Sequence, residues 1–207
     1  MAVTRGPFGA RFRAAILILQ MLLGVPALAG QTSLPAHAQP LGQPLTTILE
    51  FGDQYNGGDE LYNATITVLE AVRGEQAWAM VKSASDSNKP PDAGFEYLLA
   101  RIRFEFSART RPFHYSYTID QTQFTATASD GKEYDSPSLA AQPKPSLTGT
   151  IAPGDSMEGW VTFLVPRAGA KPLMIFKEDV GSVIHRGGVV WFQLYKNSAT
   201  GGPAKAS

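Results

Sequence analysis

The sequence predicts an all-β protein built as an antiparallel sandwich of seven to nine short strands, and three observations carry that prediction. Apolar residues alternate at a period of two in several segments: Val161, Phe163 and Val165 lie on one face of a strand and Trp160, Thr162 and Leu164 on the other. Turn signals separate these runs at short intervals, most clearly Asp130-Gly131 and Pro153-Gly154. No stretch shows a sustained helical period. A closed barrel fits the same pattern.

In chain order, residues 1–29 combine the basic start of Arg5, Arg11 and Arg13 with the apolar run Ala14–Ala29 and small residues at Ala27 and Ala29, the layout of a secretory signal peptide. Gln20, Gly24 and Pro26 interrupt that run, which is shorter than the ~20 apolar residues needed to span a bilayer. Two small-x-small triplets, Ala27-Leu28-Ala29 and Ala36-His37-Ala38, place cleavage after residue 29 or as late as 38. Residues 30–44, rich in Pro, Gln, Ala and Ser, read as a flexible leader; residues 45–196 as the sandwich domain; and residues 197–207 as a polar, disordered tail.

Within the domain, Leu45–Phe51 is the first strand. Leu61–Val72 is the second, with Tyr62, Ala64, Ile66, Val68 and Glu70 on one face and Asn63, Thr65, Thr67, Leu69 and Ala71 on the other. Trp78–Val81 reads as a short strand before a Pro-rich loop at Asn88–Gly94. Phe95–Phe106 is the longest strand, with Leu98, Ala100, Ile102, Phe104 and Phe106 alternating with Leu99, Arg101, Arg103 and Glu105, so that one face is wet. Pro112–Thr118 is aromatic-rich and reads as a loop or short strand. Phe124–Ala128 leads into the Asp130-Gly131 hairpin, Leu147–Pro166 is a strand, turn and strand, and Pro172–Phe176 and Gly188–Leu194 complete the set.

The chain has 18 basic and 18 acidic side chains, but beyond residue 38 the balance is 15 to 18, a net charge of −3. A mildly acidic domain lacks the basic face that displaces counterions from nucleic acid, so no nucleic-acid partner is expected. Cysteine is absent, which removes disulfides, thiol nucleophiles and thiolate metal sites.

Against this background the segments VLEAVRG, AWAMV, NKPPDAGFEYLLARIRFEF, FTATASDGKEY, LTGTIAPGDSMEGWVTFLVP, PLMIF and WFQL, spread over Thr46–Tyr195, resemble an immunoglobulin-like domain of unknown function found in bacterial extracellular proteins and lipoproteins. The most specific parts of the resemblance are Gly94-Phe95-Glu96-Tyr97-Leu98, Asp130-Gly131, and Pro153-Gly154 followed by Gly159-Trp160-Val161. A secreted mycobacterial immunoprotective antigen belongs to the same structural group. The resemblance implies an immunoglobulin-like sandwich outside the cytoplasm and carries no catalytic residues with it. Many relatives have a lipid-anchoring cysteine that this chain lacks, and the Cys–Trp–Cys core of antibody domains is missing too.

Several residue groups merit weighing as chemistry. Gly154-Asp155-Ser156-Met157 with Asp179 and His185 can be drawn as a hydrolase triad, but such a nucleophile sits on a strand-to-helix turn of an α/β fold, and here the block follows Pro153 in a β hairpin. His114, His185, Met80, Met157 and Met174 are soft metal ligands without useful spacing, and Asp53, Asp59 and Glu60 flank Gly57-Gly58 without EF-hand spacing. Asn63-Ala64-Thr65 is a glycosylation sequon inside a strand, read as chance. Catalytic residues, cofactors and metal ligands are therefore expected to be none. The interaction-surface candidates are Arg101 and Arg103, part of a basic cluster with Arg109 and Arg111, and the aromatic strip Phe113, Tyr115 and Tyr117. The expected function is an exported, non-enzymatic module that binds an extracellular or envelope protein, with no membrane span after cleavage. A small-ligand or metal carrier is the alternative, and a hydrolase using Ser156 ranks last.

Overall fold

The computed structural model describes residues 34–52, 60–109, 111, 113–177, 183–185 and 189–196, the side chains of 183–185 excepted. The signal-peptide region, Asp53, Asp59, Asp179 and the tail lie outside the described residues. The fold is an antiparallel β-sandwich, as the alternation predicts.

One layer is a five-stranded sheet in the order β7-β3-β2-β1-β9. Its strands are β1 (Pro44–Phe51), β2 (Glu60–Arg73), β3 (Phe95–Ala108), β7 (Ser156–Pro166) and β9 (Val183–His185). The other layer pairs β10 (Val190–Gln193), β8 (Leu173–Phe176) and β5 (Phe124–Thr127), with a separate short pair of β4 (Tyr117–Ile119) and β6 (Gly149–Ile151). Between the layers lies one continuous core. Leu98, Ile102 and Phe104 of β3 and Val161 and Phe163 of β7 meet Met174 and Phe176 of β8, Phe192 of β10 and Phe124 of β5. The inward set on β3 and β7 is the one the period-two pattern selects.

The second strand departs from its pattern halfway. Val68 pairs with Ile102, but the next register partner, Arg101, meets Glu70, so Leu69 is the extra residue of a β-bulge. The bulge shifts the phase of everything after it. Glu70 moves off the predicted core face to stand beside Arg101, and Ala71 takes its place against the core. Strict alternation from Tyr62 to Glu70 therefore holds only as far as Val68.

The predicted strand Trp78–Val81 is instead part of helix α1 (Glu75–Ala84). Ala77 and Val81, four residues apart and on one helical face, are fully buried against Tyr97, Leu99 and Trp160 on the outer side of the five-stranded sheet. Glu, Gln, Ala, Met and Lys also form helices readily. The outer face of the long strand β3 is consequently dry at Tyr97 and Leu99, which lie under the helix, and wet from Arg101 onward.

The outer face of the three-stranded sheet is covered as well, by the segment expected to be a flexible leader. A 3-10 turn at Pro35–His37 delivers Ala38, 6% exposed, into a small cluster with Leu173, Ile175 and Trp191. Gln39 then pairs with Phe192 along the free edge of β10.

The Asp130-Gly131 turn forms, but with a three-residue loop, Ser129–Gly131, in place of two. The Gly131 N–H donates to Ala128 O at 3.0 Å and the Ala128 N–H to Lys132 O at 2.8 Å. Gly131 has φ of 90°, which a residue with a side chain rarely adopts. The strand–turn–strand around Pro153-Gly154 also forms, yet its arms do not pair with each other. β6 pairs with β4 and β7 with β3.

Candidate functional site

The predicted interaction residues separate into three environments. Arg101 and Arg103 lie on the flat outer face of the five-stranded sheet. Arg103 is bonded to Glu158, Nε to Oε1 at 2.7 Å, and Arg101 stands across from Glu70. Glu105 continues the row. This is a mixed-sign face, and exposed pairs of this kind contribute little energy. Tyr117, expected in the aromatic strip, is 2% exposed: its ring stacks on Phe104 with centroids 5.3 Å apart, so it belongs to the core.

Phe113 and Tyr115 do face solvent, at 41% and 39% exposure. The chain leaves β3 at Arg109, whose N–H donates to Leu61 O at 2.8 Å, and returns at His114 and Tyr115, so both ends are tied to the start of β2. The ties are specific. Glu60 accepts from the His114 N–H at 2.9 Å, from the Tyr62 hydroxyl and from the His114 ring at Nδ1. Tyr62 Oη accepts the Tyr115 N–H at 3.1 Å, and the Tyr115 ring stacks on Phe51 with centroids 5.4 Å apart. Phe51 and Tyr62 are themselves buried, and Tyr62 stacks on Phe106 at 4.8 Å.

The electrostatics follow from these contacts. Partial burial alone would raise the Glu60 carboxyl, but hydrogen bonds from Tyr62 and from the His114 side chain and backbone outweigh it and hold the carboxyl below its ordinary range. Burial pushes the Tyr62 phenol up, and the adjacent Glu60 carboxylate pushes it further the same way. The arrangement thus keeps a carboxylate and a neutral phenol whose lone pairs and proton are spent on positioning the loop.

The sequence marks Phe113 and Tyr115 as aromatic candidates, but nothing in it marks Glu60 and Tyr62 as the groups that hold His114 and Tyr115. By sequence Glu60 reads as one of a loose acidic group beside Gly57-Gly58 and Tyr62 as a core-facing strand residue. No local spacing signals a contact between residues more than fifty positions apart.

The edges formed by β7, β5 and β10 are partly covered against strand addition. At β7, the Trp160 N–H donates to Pro145 O at 2.7 Å and Trp160 O accepts from the Leu147 N–H at 3.2 Å, while the Gln121 amide reaches the Thr162 carbonyl at 3.4 Å. Thr127 of β5 is bridged by Glu133, and β10 by Gln39. Covering edges in this way guards against unwanted pairing. A groove of about 270 Å³ beside helix α1 is lined by Gly74, Trp78, Pro90, Pro91, Glu96 and Arg167, and the Glu96 carboxylate at its floor is bonded to Arg73.

The residues considered for chemistry do not converge. Ser156 opens β7 and His185 ends β9, at opposite edges of the five-stranded sheet, four strand spacings or roughly 19 Å apart. Met174 is buried in the core, Met80 belongs to helix α1 and packs against the cluster beneath it, and Met157 lies by Gly149. Among the described residues no three His, Cys, Asp or Glu side chains group as metal ligands, and no helix is long and apolar enough to cross a membrane.

A domain of unknown function, DUF4352, matches residues 60–183. No curated protein matches the chain. Among solved structures, the crystal structure of a Bacillus subtilis protein described as a candidate lipoprotein (ycdA) is similar at 15% identity with a TM-score of 0.43. The similarity covers 63% of this chain and 35% of that one, so the chain spans about a third of that protein's length.

Proposed function

We propose, from the premise that this chain belongs to the DUF4352 family of domains of unknown function, that it is an exported, non-enzymatic, immunoglobulin-like binding domain. Its partner is a protein of the cell envelope or exterior, engaged through Phe113 and Tyr115. The observation that carries this reading is that Tyr115, 39% exposed, stacks on the buried Phe51, while Glu60 and Tyr62 hold the backbone of His114 and Tyr115 directly after the exposed Phe113.

Aromatic side chains are strong interface anchors because each buries a large rigid area at small entropic loss. Holding the loop beforehand lowers the ordering cost that binding would otherwise incur. Cover along the edges of β7, β5 and β10 favours recognition by side chains over strand addition there. Export is supported by the basic, apolar and small-residue layout of residues 1–29.

The test is site-specific photo-crosslinking in the exporting host, with the probe at position 113 or, as comparison, at position 101 on the mixed-sign sheet face. A discrete adduct from position 113 and none from 101 is the expected result. No adduct from 113, or the same adducts from both, would remove the loop as the binding surface.

A further inference from the structure

We infer that processing of the exported chain follows Ala29 and leaves Leu34–Gln39 in place as a strap that completes the sandwich. This rests on the export reading above. Both triplets, Ala27-Leu28-Ala29 and Ala36-His37-Ala38, satisfy the small-residue requirement of a signal peptidase, so the local sequence does not separate them. The tertiary structure does.

Cleavage after Ala38 would remove residues the fold uses. Ala38 fills the cluster with Leu173, Ile175 and Trp191, and its carbonyl accepts from Gln193 Nε2 at 3.1 Å. Pro35 Cγ and Trp191 Cη2 both stand within 3.5 Å of where a β-carbon on Gly131 would be, so the proline lies beside the indole at the hairpin turn. The turn is closed by the His37 N–H to Leu34 O at 3.0 Å and the Ala38 N–H to Pro35 O at 3.2 Å. Beyond it, the Gln39 N–H donates to Trp191 O at 2.7 Å and Gln39 O accepts from the Gln193 N–H at 2.8 Å.

A chain beginning at Gln39 would keep the last two bonds but lose the apolar cover over Leu173, Ile175 and Trp191. It would also place an ammonium at the edge of β10. Exposed apolar surface of that kind destabilises a small domain and promotes association. The reaction itself is hydrolysis of the Ala29–Gly30 peptide bond by a signal peptidase of the host, water leaving a carboxylate on Ala29 and an amine on Gly30.

The full chain, expressed in a bacterium and recovered from the extracytoplasmic fraction, is examined by intact mass and N-terminal sequencing. A chain starting at Gly30, with Ala29→Tyr accumulating as uncut precursor, is the expected result. A chain starting at Gln39 overturns the inference and leaves export intact. A chain left uncut overturns the inference in either place: in the extracytoplasmic fraction it shows export without processing, and confined to the cytoplasm it overturns the export reading as well. Ala38→Asp, which puts a carboxylate into the Trp191 cluster, should lower Tm by at least about 4 °C. An unchanged Tm would mean the strap is not part of the fold.

Discussion

Gly159 lies directly beneath Leu147: a β-carbon built on Gly159 would stand 2.6 Å from the Leu147 Cα. That contact lets the chain before β6 run alongside β7, where Leu147 and Pro145 bond Trp160 and close the sheet edge. Gly159→Ala must push the two backbones apart. The expected cost is about 1–3 kcal/mol, the range for overpacking a dense site. A urea unfolding midpoint equal to that of the parent chain would count against this account.

Asn88 ties helix α1 to the loop that crosses it. Its Nδ2 donates to Val81 O at 2.8 Å and Ala141 O at 2.9 Å, and its Oδ1 accepts from the Ala140 N–H at 2.8 Å. The side chain is buried. Asn88→Ala leaves these backbone groups without partners and should cost about 1–3 kcal/mol. Hydrogen exchange is the more telling measurement. Protection should fall in 75–84 and 139–142 and hold in β2 and β3.

Acid should loosen the aromatic loop before it unfolds the domain. The Glu60 carboxyl is held below its ordinary range in the folded state, so its contribution is fully present above the unfolded-state value, near 4.5, and is lost as pH falls through the lower folded value. Glu60→Gln keeps the size but removes the charge that Tyr62 and His114 address. The parent chain should show a change in tyrosine fluorescence, or in the His114 ring signals by NMR, below about pH 4.5. The variant should lack it, and an identical acid transition in both proteins would exclude Glu60 as its source.

Two aromatic residues four positions apart should behave oppositely. Phe113→Ala removes an exposed ring, so Tm should move by less than about 2 °C while the adduct formed from a photo-probe at position 115 falls by about tenfold or more. Tyr117→Ala removes a buried ring stacked on Phe104 and should destabilise by about 3–5 kcal/mol. If Phe113→Ala unfolds the protein, the ring is structural and the binding reading loses its support.

What was legible in the sequence was whatever depends on one strand at a time. Residues 95–106 and 156–166 alternate without interruption, so their inward faces could be read directly. The bulge at Leu69 could not be, because an unpaired residue is defined only against the partner strand, and Arg101 lies 32 positions away. Glu60 and Tyr62 escaped notice as loop anchors for the same reason. Tyr117 shared a period of two with Tyr115 and Phe113, but pattern does not separate an aromatic residue that turns inward from one left outside.

By itself, then, the sequence determined the sandwich: its alternating strands, its Gly and Pro turns, and the absence of cysteine chemistry. Those properties follow from neighbouring residues, and neighbours are always present. Only the tertiary structure decided that Trp78 sits in a helix, that β6 and β7 pair elsewhere instead of with each other, and that residues 34–39 close the second sheet. For the helix and for residues 34–39 the deciding free energy comes from covering an apolar face, Tyr97 with Leu99 and Trp160 or Ile175 with Trp191, which is assembled from residues distant in the chain and exists only once the strands have paired.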